Sequence, residues 1–162
     1  MYLALILKPN MIKFEKKDWA GYNKVAKAYL ARPNFKGTPI TAEHLSQSAK
    51  ETYEATGVFL PVELALSQGQ FEGHMGTKGR SPATNPFNVG EYDDGTKMTF
   101  KDTKAGVKAY YDLMASDYLK TNSVEGLMKN FVNKNGDRYA SNPDYESDIS
   151  GQMSHIRKNY MR

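Results

Sequence analysis

A carboxylate serves as a general acid only where its surroundings keep it protonated near neutral pH. Glu72, in "Q-F-E-G-H-M-G" (residues 70–76), is placed for that role. Leu64, Ala65, Gln68, Phe71 and Glu72 follow one another at helical spacing and share a face, the apolar one. Glu63, Ser67 and Gln70 fall on the opposite, polar face. At the edge of a core, desolvation penalises the ionised form and raises a carboxyl pKa, which keeps a proton available for a leaving oxygen. A glutamate in the last turn of a helix also has a simpler reading, in which it reaches solvent. Spacing alone leaves both open. Gly69, inside the same helix, costs about 1 kcal/mol relative to alanine and predicts a close-packed neighbour.

Other chemistries find less support. There is no cysteine, so disulfides, thiolate metal sites and cysteine nucleophiles are excluded. His44, His74 and His155 are scattered without metal-ligand spacing and read as surface or capping residues, so no metal and no cofactor is expected. Ser67 lacks a nucleophile-elbow context, and no glycine-rich phosphate loop is present. The 11 tyrosines suit stacking on sugar rings, although at helical spacings most of them read as core.

The elements that must position Glu72 are mostly helices. Asp18 caps a predicted helix through Arg32, with Trp19, Tyr22, Ala26, Tyr29 and Leu30 on one stripe and Pro33 as its stop. Thr41 caps a second, which carries Ala42, Leu45 and Ala49 inward and ends near Gly57. The third runs from Pro61, in its first turn, to Glu72. In "NVGEYDDGTKMTF" the period changes: Asp94-Gly95 is a turn signal and Thr96, Met98 and Phe100 alternate after it, which predicts a small β-hairpin. Asp102 then caps a helix with Gly106, Ala109, Tyr110, Leu113 and Met114 on one face, and a shorter helix spans 124–132. The last begins at "NPDY", with Asn142 as cap and Pro143 in the first turn, and buries Tyr145, Ile149, Met153 and Ile156. The expectation is a mainly α (α+β) fold, a helical domain with one β-hairpin lobe.

At 162 residues, 40% hydrophobic and 25% charged, the chain reads as one globular domain with a core of its own. The apolar run "YLALIL" is too short to span a membrane and makes a poor signal peptide. Residues 1–40 hold eight Lys/Arg against two acidic residues, a net of +6; the whole chain carries +4, so the remainder carries −2. No nucleic-acid motif accompanies this basic segment, so a solvated basic face or contact with an anionic cell wall is expected, without nucleic acid and without membrane insertion.

Four segments in order resemble one enzyme family. "Q-G-Q-F-E-G-H-M-G" is similar to the Q-x-x-x-E-S-x-x-G signature of the family-73 glycoside hydrolases, peptidoglycan N-acetylglucosaminidases of lysozyme-like fold. "T-N-P-F-N-V-G", "G-V-K-A-Y-Y-D-L-M" and "D-R-Y-A-S-N-P-D-Y" resemble, in turn, three further stretches of that family, and together the likeness covers about residues 41–160. It implies a division into a basic N-terminal helical extension, 1–40, and a lysozyme-like catalytic domain, 41–162. It also implies that Glu72 is the catalytic acid and that Tyr139 supports catalysis. Glu91, in "E-Y-D-D-G", resembles a second acidic residue of some members. Gln68, Asn85, Phe87, Asn88, Tyr92 and Tyr145 are implied to bind the glycan. Three departures stand out: Gly73 replaces the usual serine, Asn142 replaces a common aspartate, and the stretch from Asn88 to Glu91 is short. The short stretch leaves Asp93, Asp94 or Asp102 as alternatives to Glu91.

The implied reaction is hydrolysis of a β-1,4 glycosidic bond of peptidoglycan, by a second carboxylate that activates water or by the substrate's own N-acetyl group. A muramidase or lytic transglycosylase of goose-lysozyme type is the alternative enzyme, and a non-catalytic wall-binding or virion protein the alternative of another class. A bare catalytic domain with no signal peptide suits a holin-released phage endolysin or a virion-associated hydrolase; a bacterial autolysin stays open. It would act as a monomer on glycan strands in the periplasm or wall.

Overall fold

The computed structural model describes residues 18–79, 82–90 and 98–161. Among them lie six α-helices: α1 (Trp19–Leu30), α2 (Ala42–Thr56), α3 (Val62–Gly73), α4 (Thr103–Leu113), α5 (Val124–Lys129) and α6 (Tyr145–Tyr160). A 3-10 turn, Pro33–Phe35, follows α1, and α4 runs without a break into a π-helical turn, Met114–Tyr118. The caps are local and chemical. Asp18 accepts from Gly21 N, and Asp102 from Ala105 N. Thr41 and His44 satisfy each other's backbone N–H groups in a capping box. His44 accepts through Nδ1, and burial lowers its pKa.

Helix α3 runs through the middle of the molecule, with α6 packed along it and α1 against it; α2 lies between α1 and α4. Every residue from Val62 to Gly69 is buried. This corrects the expectation of a polar face: Glu63 is only 6% exposed and Ser67 is fully enclosed. A central helix has neighbours all round, so its polar groups find partners inside. Ser67 donates to the Glu63 carbonyl at 2.7 Å, and Glu63 pairs with Arg157 of α6 at 2.9 Å. Phe71 is corrected in the other direction, being 46% exposed at the last turn of α3. Gly69 has the predicted neighbours: a Cβ there would stand 2.7 Å from Met75 Sδ and 3.1 Å from Phe87 Cε1.

Three further expectations change. The predicted hairpin has its turn in 91–97, outside the described residues. The flanking residues 88–90 and 98–100 form no strand, and the described residues hold only an isolated antiparallel bridge, Val132–Arg138. Helix α5 stops at Lys129, because Phe131 turns away and donates its N–H to Glu146 Oε2 at 2.8 Å. Helix α6 starts at Tyr145 rather than at Pro143. Asn142 is not its cap but forms a turn ahead of it, accepting from Asp144 N through Oδ1 at 2.9 Å. The buried stripe of α6 is the predicted one, Tyr145, Ile149, Met153 and Ile156.

Candidate active site

Glu72 stands at the half-buried end of α3, where the chain leaves the helix through three successive left-handed residues: His74 (φ 54), Met75 (φ 58) and Gly76 (φ 77). Met75 N–H reaches back to the Gly69 carbonyl and His74 N–H to that of Gln70, which closes the helix end tightly. Gly73, where the resembling family has serine, has little room for a side chain: its Cβ would meet the Lys78 carbonyl at 3.3 Å.

One tyrosine reaches the carboxylate, and others are packed on that tyrosine and its partners. The Tyr145 hydroxyl lies 3.4 Å from Glu72 Oε1 as a donor and accepts from Gln68 Nε2 at 3.1 Å. Gln68 in turn accepts from the Tyr110 hydroxyl. One fully buried amide, four residues before Glu72 on the same helix face, therefore holds two phenols brought in by α4 and α6. The ring of Tyr139 stacks on Tyr145 at 5.6 Å between centroids, and Tyr118 packs edgewise on Tyr139 at 5.2 Å. The Glu72 charge reaches all four phenols. Burial is the main cause of their raised pKa values, and Glu72 contributes to each; Tyr118 is pushed up to about 12, with Asp117 and Asp137 adding to it. All four stay protonated at neutral pH, so each hydroxyl keeps a proton to donate.

The loop that carries Tyr139 is fixed by a clamp. Arg138 makes a two-armed pair with Glu146, with Nη1 at 2.7 Å from Oε2 and Nη2 at 2.8 Å from Oε1, and also donates to the carbonyls of Ala140 and Asn142. The Arg138 guanidinium holds the Glu146 carboxyl down to about 2.

The remaining sequence-predicted residues divide. Gln68, Asn85 and Phe87 are enclosed, at 0%, 0% and 1% exposure, so they brace the site and do not present a surface to a glycan. Phe87 stacks on Tyr110 at 3.9 Å. Asn85 donates to the carbonyls of Val89 and Met98 and accepts from Val89 N, which ties together the two ends of segment 90–98. Asn88 takes a left-handed backbone (φ 60) beside it. Asp102 is exposed and spent on its cap. Glu91, Tyr92, Asp93 and Asp94 lie outside the described residues.

Sequence reasoning missed Tyr110, Tyr118, Arg138 and Glu146 as parts of this arrangement. Tyr118 gave a misleading signal, since seven residues after Tyr111 an uninterrupted α-helix returns to the same buried face. Arg138 and Glu146 are eight apart across a turn, a spacing that matches neither helix nor strand. No group of three or more His, Asp or Glu among the described residues could hold a metal ion, and none of the described helices is long and apolar enough to cross a membrane. Comparison with protein-family models, with curated proteins and with solved structures finds no match for this chain, so the likeness to the family-73 glycoside hydrolases stands on its four ordered segments.

Proposed function

We propose that this protein hydrolyses β-1,4 glycosidic bonds of peptidoglycan as an N-acetylglucosaminidase, with Glu72 as the general acid. The observation that carries the reading is the half-buried Glu72 carboxylate at the end of α3, within reach of the Tyr145 hydroxyl and with Tyr139 stacked on Tyr145. Glu72 gives its proton to the glycosidic oxygen while positive charge develops on the sugar ring. The Tyr145 hydroxyl holds the carboxyl in one orientation, and Tyr139 faces the ring that loses its leaving group. Water then attacks, activated by a second carboxylate about 6.5–9.5 Å away in an inverting enzyme, or after the N-acetyl group has served as nucleophile.

Glu72→Gln should abolish lysis of purified walls while the melting temperature stays near that of wild type. A variant that lyses walls at the normal rate removes Glu72 from the mechanism. Mass spectrometry of the released muropeptides decides the linkage. Reducing-end GlcNAc supports the proposed activity, and reducing-end MurNAc or anhydro-MurNAc assigns the site to a muramidase or lytic transglycosylase. Wall binding without any turbidity loss by the wild-type protein would make it a non-catalytic binder.

A further inference from the structure

The enclosed tyrosines of this protein spend their hydroxyls. Tyr22 and Tyr111 bond to each other at 2.7 Å, and Tyr22 also reaches the Leu60 carbonyl. Tyr29 bonds Gln70 and Gln152, Tyr110 bonds Gln68, and Tyr145 lies between Gln68 and Glu72. Such pairing is what burial demands of a phenol. Tyr118 breaks the pattern. Only 8% of the residue is exposed, yet its hydroxyl has no hydrogen-bond partner among the described residues. Nor is that hydroxyl sealed off, because the one fully enclosed polar side-chain atom without a partner among them is His74 Nε2. The Tyr118 ring is held by Phe131 at 5.6 Å and by Tyr139 at 5.2 Å, so its hydroxyl is a fixed group with a free donor.

The backbone explains how it arrives there. From Thr103 to Leu113 the helix is α-helical and its tyrosines 110 and 111 face the core. At Met114 the chain widens to a π turn, closed by Leu119 N–H on the Met114 carbonyl at 2.8 Å. A π turn holds one residue more than an α turn, which turns the residues after it away from the face set by those before. Tyr118 thereby leaves the Tyr111 face and meets Phe131 and Tyr139 of the 130–144 loop. Asp117, Asp137 and Glu72 bring negative charge towards its hydroxyl, and no described group deprotonates it near neutral pH.

We propose that Tyr118 is a substrate-contacting residue of the Glu72 site, whose hydroxyl donates a hydrogen bond to an oxygen of the N-acetylated sugar bound beside Glu72. The inference rests on the reading of Glu72 as the acid of a peptidoglycan glycosidase. Tyr139 offers the sugar one wall and Tyr118 a fixed donor at its edge. A neutral donor suits a sugar hydroxyl or acetamido carbonyl, both of which accept.

Tyr118→Phe removes the hydroxyl and keeps the ring that packs on Phe131 and Tyr139. It should leave the melting temperature and the circular dichroism spectrum as in wild type, and lower kcat/KM on purified walls about 10- to 100-fold, the size of one lost donor to the substrate. A second arm measures binding of chitotetraose by NMR titration in the inactive Glu72→Gln background, where adding Tyr118→Phe should weaken binding at least about fivefold. Unchanged kcat/KM and unchanged chitotetraose binding in Tyr118→Phe, with Glu72→Gln inactive, overturns the role of Tyr118 and leaves the glycosidase reading intact. A wild-type protein that neither lyses walls nor binds chitotetraose overturns the glycosidase reading, and the role of Tyr118 falls with it.

Discussion

Gln68 joins the chemistry of the site to the stability of the core. Its amide is fully enclosed and satisfies the hydroxyls of Tyr110 and Tyr145 at once. Gln68→Leu fits the space but strands both phenols, and each buried polar group left unpaired costs about 1–3 kcal/mol. Urea unfolding should show that loss, and wall lysis should fall as well, because Tyr145 is then free to turn from Glu72. Gln68→Glu tests the same link differently, since it places a second carboxyl between the Tyr110 and Tyr145 hydroxyls, one helical turn from Glu72. Part of this was legible in the sequence. Gln68 and Glu72 share a helix face at a spacing of four, and that spacing is local information. Their partners at positions 110 and 145 come from 42 and 77 residues away, and no local period announces a pairing of that kind.

At the scale of elements, two close approaches set the site's frame, and glycine permits one of them. A Cβ on Gly106 of α4 would lie 1.8 Å from the Thr84 carbonyl oxygen. Thus α4 and the segment holding Asn85 touch backbone to backbone, and Thr103 adds a hydrogen bond to the Ala83 carbonyl at 2.9 Å. Gly106→Ala must push the two apart and should cost about 1–3 kcal/mol or more. The control is Gly151→Ala in α6, where a Cβ meets nothing within 4 Å. That change should raise stability by up to about 1 kcal/mol through helix propensity alone. Thermal melts of the two variants should move in opposite directions. The second approach is the Arg138–Glu146 clamp, which joins the 130–144 loop to α6. Its carboxyl sits at about 2 when folded, against an ordinary 4.5. The pair therefore contributes fully above about pH 4.5, and its contribution fades as the pH falls towards 2. Glu146→Gln should flatten the acid limb of a stability–pH curve. Helix caps such as Asp18, Thr41 and Asp102 were readable because a cap acts within three residues. The clamp was not, because its geometry exists only once the loop has closed.

For the whole molecule, charge matters more than shape. The chain carries +4 with a sequence pI near 9.1, and the proposed substrate is an anionic polymer. Adsorption of inactive Glu72→Gln protein to purified walls should weaken as salt rises, since the screening length falls from about 8 Å at 0.15 M to about 3 Å at 1 M. Adsorption that persists unchanged in high salt would move wall affinity from surface charge to the Glu72 site itself. Composition made this net charge plain from the start. The central position of α3 was harder to foresee, because Glu63 and Ser67 look like a solvent face until Arg157 and the Glu63 carbonyl are seen to satisfy them.

The π turn at Met114–Tyr118 packs one residue more into its span than an α turn would. A turn of this kind is what a helix looks like after it has absorbed one inserted residue. Upstream packing stays as it was, while every later side chain is rotated by about 100°. The extra residue leaves Tyr110 and Tyr111 in the core and turns Tyr118 towards Phe131 and Tyr139. Removing Ala115 reverses that edit: the helix should remain, and Tyr118 should swing back to the side that Tyr111 occupies. One residue thus decides whether Tyr118 lies on the Tyr111 side of the helix or against Tyr139.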